Sequence, residues 1–154
     1  MSKLKLNDFL RSDIKRIGGG NVMGSVFELN RKRVFTISEA RELLPIVRRV
    51  TEEANSRIKG LVVLLEASRD RESQRTKDLE TKINEHVSEW QTKISKLGAE
   101  GKGLWLVDFD CGTGYYCWKF PEEGLEHYHG YTEGFQSRVR VYEIEAAETS
   151  QSLS

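Results

Sequence analysis

The sequence predicts an α+β domain: a long antiparallel helical hairpin over residues 36–98, followed by a small antiparallel β-sheet of three to four strands over residues 103–145. Three observations predict it. Two long apolar stripes recur at three- and four-residue spacing, the apolar period changes to two from Gly103 onward, and glycine- or proline-bearing turns separate the later segments. A chain of 154 residues suits one domain, because folding at this size removes about two thirds of the unfolded surface from water.

The first helix opens at Thr36. Thr36-Ile37-Ser38-Glu39 has the pattern of a capping box, in which the hydroxyl accepts a free backbone N–H and the carboxylate reaches back. Leu43, Val47, Val50, Ala54, Ile58, Leu61 and Leu65 then fall on one stripe. Pro45 cannot donate to the carbonyl of Arg41, which predicts a kink or a short first segment. The second stripe runs through Leu79, Ile83, His86 or Val87, Trp90, Ile94 and Leu97. It ends at Gly98, a residue suited to the left-handed cap. Between the stripes Ser68, Asp70, Ser73 and Thr76 are weak helix formers but not breakers, so one continuous helix is the alternative. The hairpin is favoured because two half-exposed stripes of similar length bury each other only if the chain folds back.

Leu104–Phe109 and Tyr115–Phe120 read as strands joined by Asp110-Cys111-Gly112-Thr113-Gly114, and Pro121–Gly124 as the next turn. Residues 125–131 and 139–144 are two further strand candidates, and 146–154 read as a disordered tail. Residues 1–33 read as a flexible extension. Within it, Leu6, Phe9, Leu10, Ile14 and Ile17 suggest a short amphipathic helix, with a start assigned too early as the alternative because Met23 precedes the domain. The glycine run at 18–20 lacks the Gly-Lys-Ser/Thr ending of a phosphate loop.

Lysines and arginines number 24 and acidic residues 24, so no global field draws the protein to nucleic acid or to an anionic membrane. The amino end is basic and the carboxyl end acidic. The basic end and the aromatic residues are what an RNA-stacking surface would use, but the zero net charge and acidic carboxyl end argue against it. No stretch approaches the roughly 20 apolar residues of a membrane span, and no secretory signal is recognisable, so cytoplasm is the expected address. There Cys111 and Cys117 would stay reduced.

The chemical material concentrates in the β-region. His127 and His129 lie two residues apart on one strand face, where Cys117 with Asp108 or Glu133 could complete a tetrahedral site for zinc or another divalent metal. Alternatively, Cys117 is a nucleophile with His129 as base and Glu133 orienting the ring, although no oxyanion hole is indicated and a cysteine beside Trp118 reads more simply as packing. A third reading is a ligand pocket walled by Trp105, Tyr115, Tyr116, Trp118, Tyr128 and Tyr131, with Arg138 and His129 holding an anion. Core packing explains most of those aromatics equally well, and Arg138 is a candidate ion-pair partner for Glu133 or Asp108. Apolar stripe left uncovered by so small a sheet predicts a homodimer or homo-oligomer through the helices, with Trp90 and His86 as the interface residues to test and the seam of the hairpin itself as their alternative place.

The run Phe35–Pro45, Val107-Asp108-Phe109, Cys117-Trp118, and Tyr128-His129 followed by Glu133-Gly134-Phe135 and Arg138 resembles the bacterial domain-of-unknown-function family 2203, over about residues 34–142. The resemblance implies a fold like the one read above and includes His129 rather than His127. It implies no activity. The expected function is an oligomeric binding or interaction module with its site on the β-region, comprising Asp108, Cys117, Trp118, His129, Glu133 and Arg138. The alternative is a metal-dependent, hydrolase-like enzyme using His129, Cys117 and nearby carboxylates, which requires those groups to line an open cleft.

Overall fold

The computed structural model describes residues 33–152, so the readings of the first 32 residues lie outside the described residues. Helix α1 spans Ile37–Ala67 and α2 spans Gln74–Lys96. At the start of α1 the Glu39 N–H donates to Thr36 Oγ1 at 3.2 Å while the Glu39 carboxylate accepts from the Thr36 N–H, which completes the capping box. Ser73 caps α2 by accepting from the Thr76 N–H. The segment between the helices turns back because its polar groups find local partners: the buried Thr76 hydroxyl donates to the Asp70 carbonyl at 2.7 Å, and Asp70 Oδ1 accepts from the Glu72 N–H at 3.0 Å. These bonds resolve the choice between hairpin and single helix.

The expected short first segment at Pro45 does not form. The helix runs through the proline, which is exposed, so water can serve the Arg41 carbonyl left without its donor. Gly98, at φ +90°, ends the hairpin as its position suggested.

Five antiparallel strands follow in sequential order: β1 Glu100–Lys102, β2 Leu106–Asp110, β3 Gly114–Lys119, β4 His127–Gly130 and β5 Val139–Arg140. This is one more than the upper expectation. The added strand is β1, whose Glu-Gly-Lys composition carries no strand preference. Gly101 is required there, since a Cβ would lie 2.8 Å from the Trp90 ring. The last predicted strand is also shorter than expected. After Arg140 the chain becomes helix α3, Val141–Ser152, where a strand end and a structureless tail were expected. Val141 is buried, its N–H donates to the Glu126 carbonyl at 2.9 Å, and the Glu- and Ala-rich segment beyond it favours helix.

The hairpin and one sheet face share a single core. Val47, Ala54 and Ile58 of α1 and Ile83, Val87, Trp90 and Ile94 of α2 pack with Val107, Phe109 and Trp118. Trp90 stands at the junction. Its indole N–H donates to Thr51 Oγ1 at 2.9 Å, its ring meets Trp105 edge-on at 4.9 Å, and only 1% of it is exposed. Trp90 therefore belongs to the interior and not to a free interface, while His86 is half-buried beside it in a shallow groove between the helices.

Thr51→Val preserves the shape of the side chain but leaves the buried Trp90 N–H without an acceptor. We expect it to destabilise the fold by about 1–3 kcal/mol in urea denaturation, with Thr51→Ser, which keeps the oxygen, costing less.

Candidate metal centre

Because side chains alternate across a strand, Val107 and Phe109 turn toward the helices and Asp108 turns to the opposite, outer face. Register extends this arrangement across the sheet. Asp108 pairs with Cys117, Cys117 with His127, and Tyr115 with His129, so all five side chains share the outer face. The segment 131–138 crosses that face: Tyr131 stacks edge-on against Tyr115 at 5.1 Å, and Phe135 lies under both the Lys119 ammonium and the Arg138 guanidinium. This strap buries what a two-layer sheet would leave wet. Asp108 is 5% exposed, Cys117 1% and His129 4%.

One ligand atom from each of Asp108, Cys117 and His129 lies within 4.8 Å of the other two. His129 Nδ1 is 3.0 Å from the Gly130 carbonyl, which can only accept, so Nδ1 carries a proton. In the neutral ring Nε2 then presents a lone pair, and it does so 3.2 Å from Asp108 Oδ1, a carboxylate oxygen that also only accepts. Two acceptors this close need something between them: a proton, on the ring or on the carboxyl, or a metal ion. A backbone carbonyl fixing the remote nitrogen of an imidazole is the usual companion of a metal-ligating histidine.

Burial first, and the Asp108 carboxylate second, push the Cys117 thiol far above its ordinary range, with Arg138 opposing only in part. Such a sulfur is a protonated thiol, the wrong state for nucleophilic attack. The other parts of a catalytic triad are also occupied. Glu133 accepts from the Gly130 N–H at 3.2 Å and so braces the backbone beside His129, whose Nδ1 is already used.

Other predicted residues separate. His127 shares the face and sits opposite Cys117, but it is not among the three converging donors. Its Nδ1 is buried with no hydrogen-bond partner, and burial, then the charge of Arg138, lower its pKa. Arg138 pairs with neither Glu133 nor Asp108. It grips Glu122 with two bonds, at 2.8 and 3.1 Å, and stacks 4.0 Å from the Phe135 ring. Burial raises the Glu122 carboxyl, but the Arg138 bonds and the Lys119 N–H outweigh it and hold the carboxyl below its usual range. Glu122 carried no periodic signal in the sequence; only its place in the turn before an unpaired arginine could have pointed to it. Trp118 faces the helices and donates to the Glu122 carbonyl at 2.8 Å, and Tyr116 likewise packs against the core. Of the predicted aromatic wall, Tyr115 and Tyr131 stand on the outer face. Tyr131 donates to Asp110 Oδ1 at 2.6 Å, which raises the phenol to about 12.

The sequence profile of a family described as uncharacterized conserved protein (DUF2203) matches residues 33–141, a span that includes α1, α2, the sheet and every residue of the cluster. The chain belongs to that family. The match bears out the resemblance seen in the sequence and, for DUF2203 as for this chain, carries no activity with it. No curated protein and no solved structure matches the chain. Among the described residues no helix is long and apolar enough to cross a membrane.

The two thiols should differ sharply toward alkylating reagents. In native, metal-free protein at pH 8, iodoacetamide should modify the half-buried Cys111 while Cys117 reacts only after unfolding, as read by peptide mass spectrometry.

Proposed function

We propose that this DUF2203 protein is a metal-binding module, with a zinc-type divalent ion held on the outer face of the sheet by Asp108, Cys117 and His129. The observation that carries the reading is the convergence of three unlike donors, buried and from adjacent strands, around a histidine whose tautomer aims a lone pair at them. Oxygen, sulfur and imidazole donors in a compact group suit zinc better than calcium or magnesium, which take oxygen ligands. His127 falls outside the donor set, so the two-histidine site is replaced by one with a carboxylate from the neighbouring strand.

Burial of all three donors beneath the strap supports retention of an ion over turnover of a substrate, and so favours a module over a hydrolase. Binding would displace the Cys117 proton and any second proton on His129, so affinity should fall as pH falls. Exposed Ile46, Val63 and Leu64 on α1 support assembly of such modules through the helices.

Native mass spectrometry and elemental analysis of protein purified without chelator and reconstituted with Zn²⁺ should give about one ion per chain. Asp108→Asn and His129→Ala should each weaken binding at least about tenfold while the circular dichroism of the helices is kept. Wild-type protein that takes up no ion, or variants that hold it as tightly, would remove the reading. The same spectrum gives the subunit count.

A further inference from the structure

We infer, resting on the metal reading above, that the bound ion's remaining coordination position takes an oxyanion, the oxygen of a carboxylate or a phosphate, received by Arg138 and His127. A tetrahedral ion needs four donors, and among the described residues the converging group supplies three. The nearby carboxylates are otherwise engaged: Glu133 on the Gly130 N–H, Glu122 on Arg138. The fourth ligand therefore comes from outside the described chain.

The polar groups beside Cys117 define its chemistry. The Arg138 guanidinium lies close enough to lower the proton affinity of both Cys117 and His127, and it is held in place rather than free to swing: Glu122 binds it from one side with two bonds and the Phe135 ring supports its face at 4.0 Å. A guanidinium carries five N–H donors, and Glu122 accounts for two. His127 adds the second feature. It lies directly across the strand pair from Cys117, and its Nδ1 is shielded from solvent with no protein partner, an arrangement that costs free energy unless a ligand completes it. An Nδ1–H there donates to an anion.

Charge counting sharpens the expectation. A divalent ion is neutralised by the Asp108 carboxylate and the Cys117 thiolate, so the first three donors leave no net charge to attract an anion. Its hold then depends on the donors beside the ion. Loss of Arg138 should thus weaken the anion more than it weakens the metal, whose Cys117 ligand it assists only in part.

The test uses the full chain loaded with Co²⁺, whose visible absorption responds to a change of ligand. Acetate and inorganic phosphate are titrated in separate arms at constant ionic strength in chloride. One or both should change the spectrum saturably, which also tells a carboxylate from a phosphate site. Arg138→Gln and His127→Ala should weaken the apparent anion affinity about tenfold or more at saturating Co²⁺, with His127→Ala leaving Co²⁺ uptake unchanged. If the wild-type protein binds Co²⁺ but neither anion alters the spectrum, or if both variants respond as wild type does, the oxyanion site is refuted while the metal centre stands. If the wild-type protein takes up no Co²⁺, the metal reading itself has failed. Should Arg138→Gln not fold, His127→Ala and Arg138→Lys decide the matter, the latter keeping charge but losing the fork geometry.

Discussion

At Asp108 and Cys117 the central strands β2 and β3 are buried on both faces, and much of the architecture answers to that constraint. One face is apolar and is closed by the helical hairpin through Val107, Phe109 and Trp118. The other is polar and is closed by a strap of the same chain. Burying polar groups without partners would cost several kcal/mol, so the outer face has to be an arranged network, with Tyr131 on Asp110, His129 on Asp108 and the Gly130 carbonyl, and Arg138 on Glu122.

Support for that network begins in the helices. Arg48 of α1 donates to the carbonyls of Glu122 and Glu123, Arg41 donates to the Leu125 carbonyl at 3.2 Å, and the Trp118 indole donates to Glu122. These bonds fix the turn after β3 and, with it, the carboxylate that receives Arg138. A guanidinium on the outer face is thus positioned by residues from the opposite side of the sheet. The long helices are more than a lid on the core: they set the geometry of the loop from which the site is braced.

The parts of this fold that were legible in the sequence are those governed by local rules. A capping box, a left-handed glycine and two periodic stripes define the hairpin because each depends on residues within a few positions of one another. Strand β1 was invisible because its place is set by contact: Glu-Gly-Lys pairs with Asp108, Val107 and Leu106 and needs Gly101 to admit the Trp90 ring. The proposed metal ligands show the same division. His127 and His129 were correctly placed on one face, but residues i and i+2 of a strand stand about 6.6 Å apart along the chain, whereas neighbouring strands are about 4.8 Å apart. Those spacings alone do not choose between the candidates, since His127 is the direct cross-strand neighbour of Cys117 while Asp108 and His129 lie two strands apart; the Asp108 and His129 side chains nevertheless converge to 3.2 Å beside Cys117, a contact that no spacing rule reads from the sequence. Glu122 illustrates the extreme case, a turn residue whose partner lies 16 positions away.

A buried carboxylate beside an imidazole is weak evidence for stability, since the cost of taking both from water roughly offsets their attraction. Apolar residues of similar volume would fill the same space under the strap at no such cost. What apolar residues cannot do is change state with the occupant. With protons, the cluster is a thiol beside a carboxylate and an imidazole that need a proton between Oδ1 and Nε2. With a metal ion, all three donate at once and the conflict between the two facing acceptors disappears. A proton between Nε2 and Oδ1 satisfies that pair alone, whereas a metal ion would engage all three donors together, and this difference is the physical reason to look for function on the outer face of the sheet.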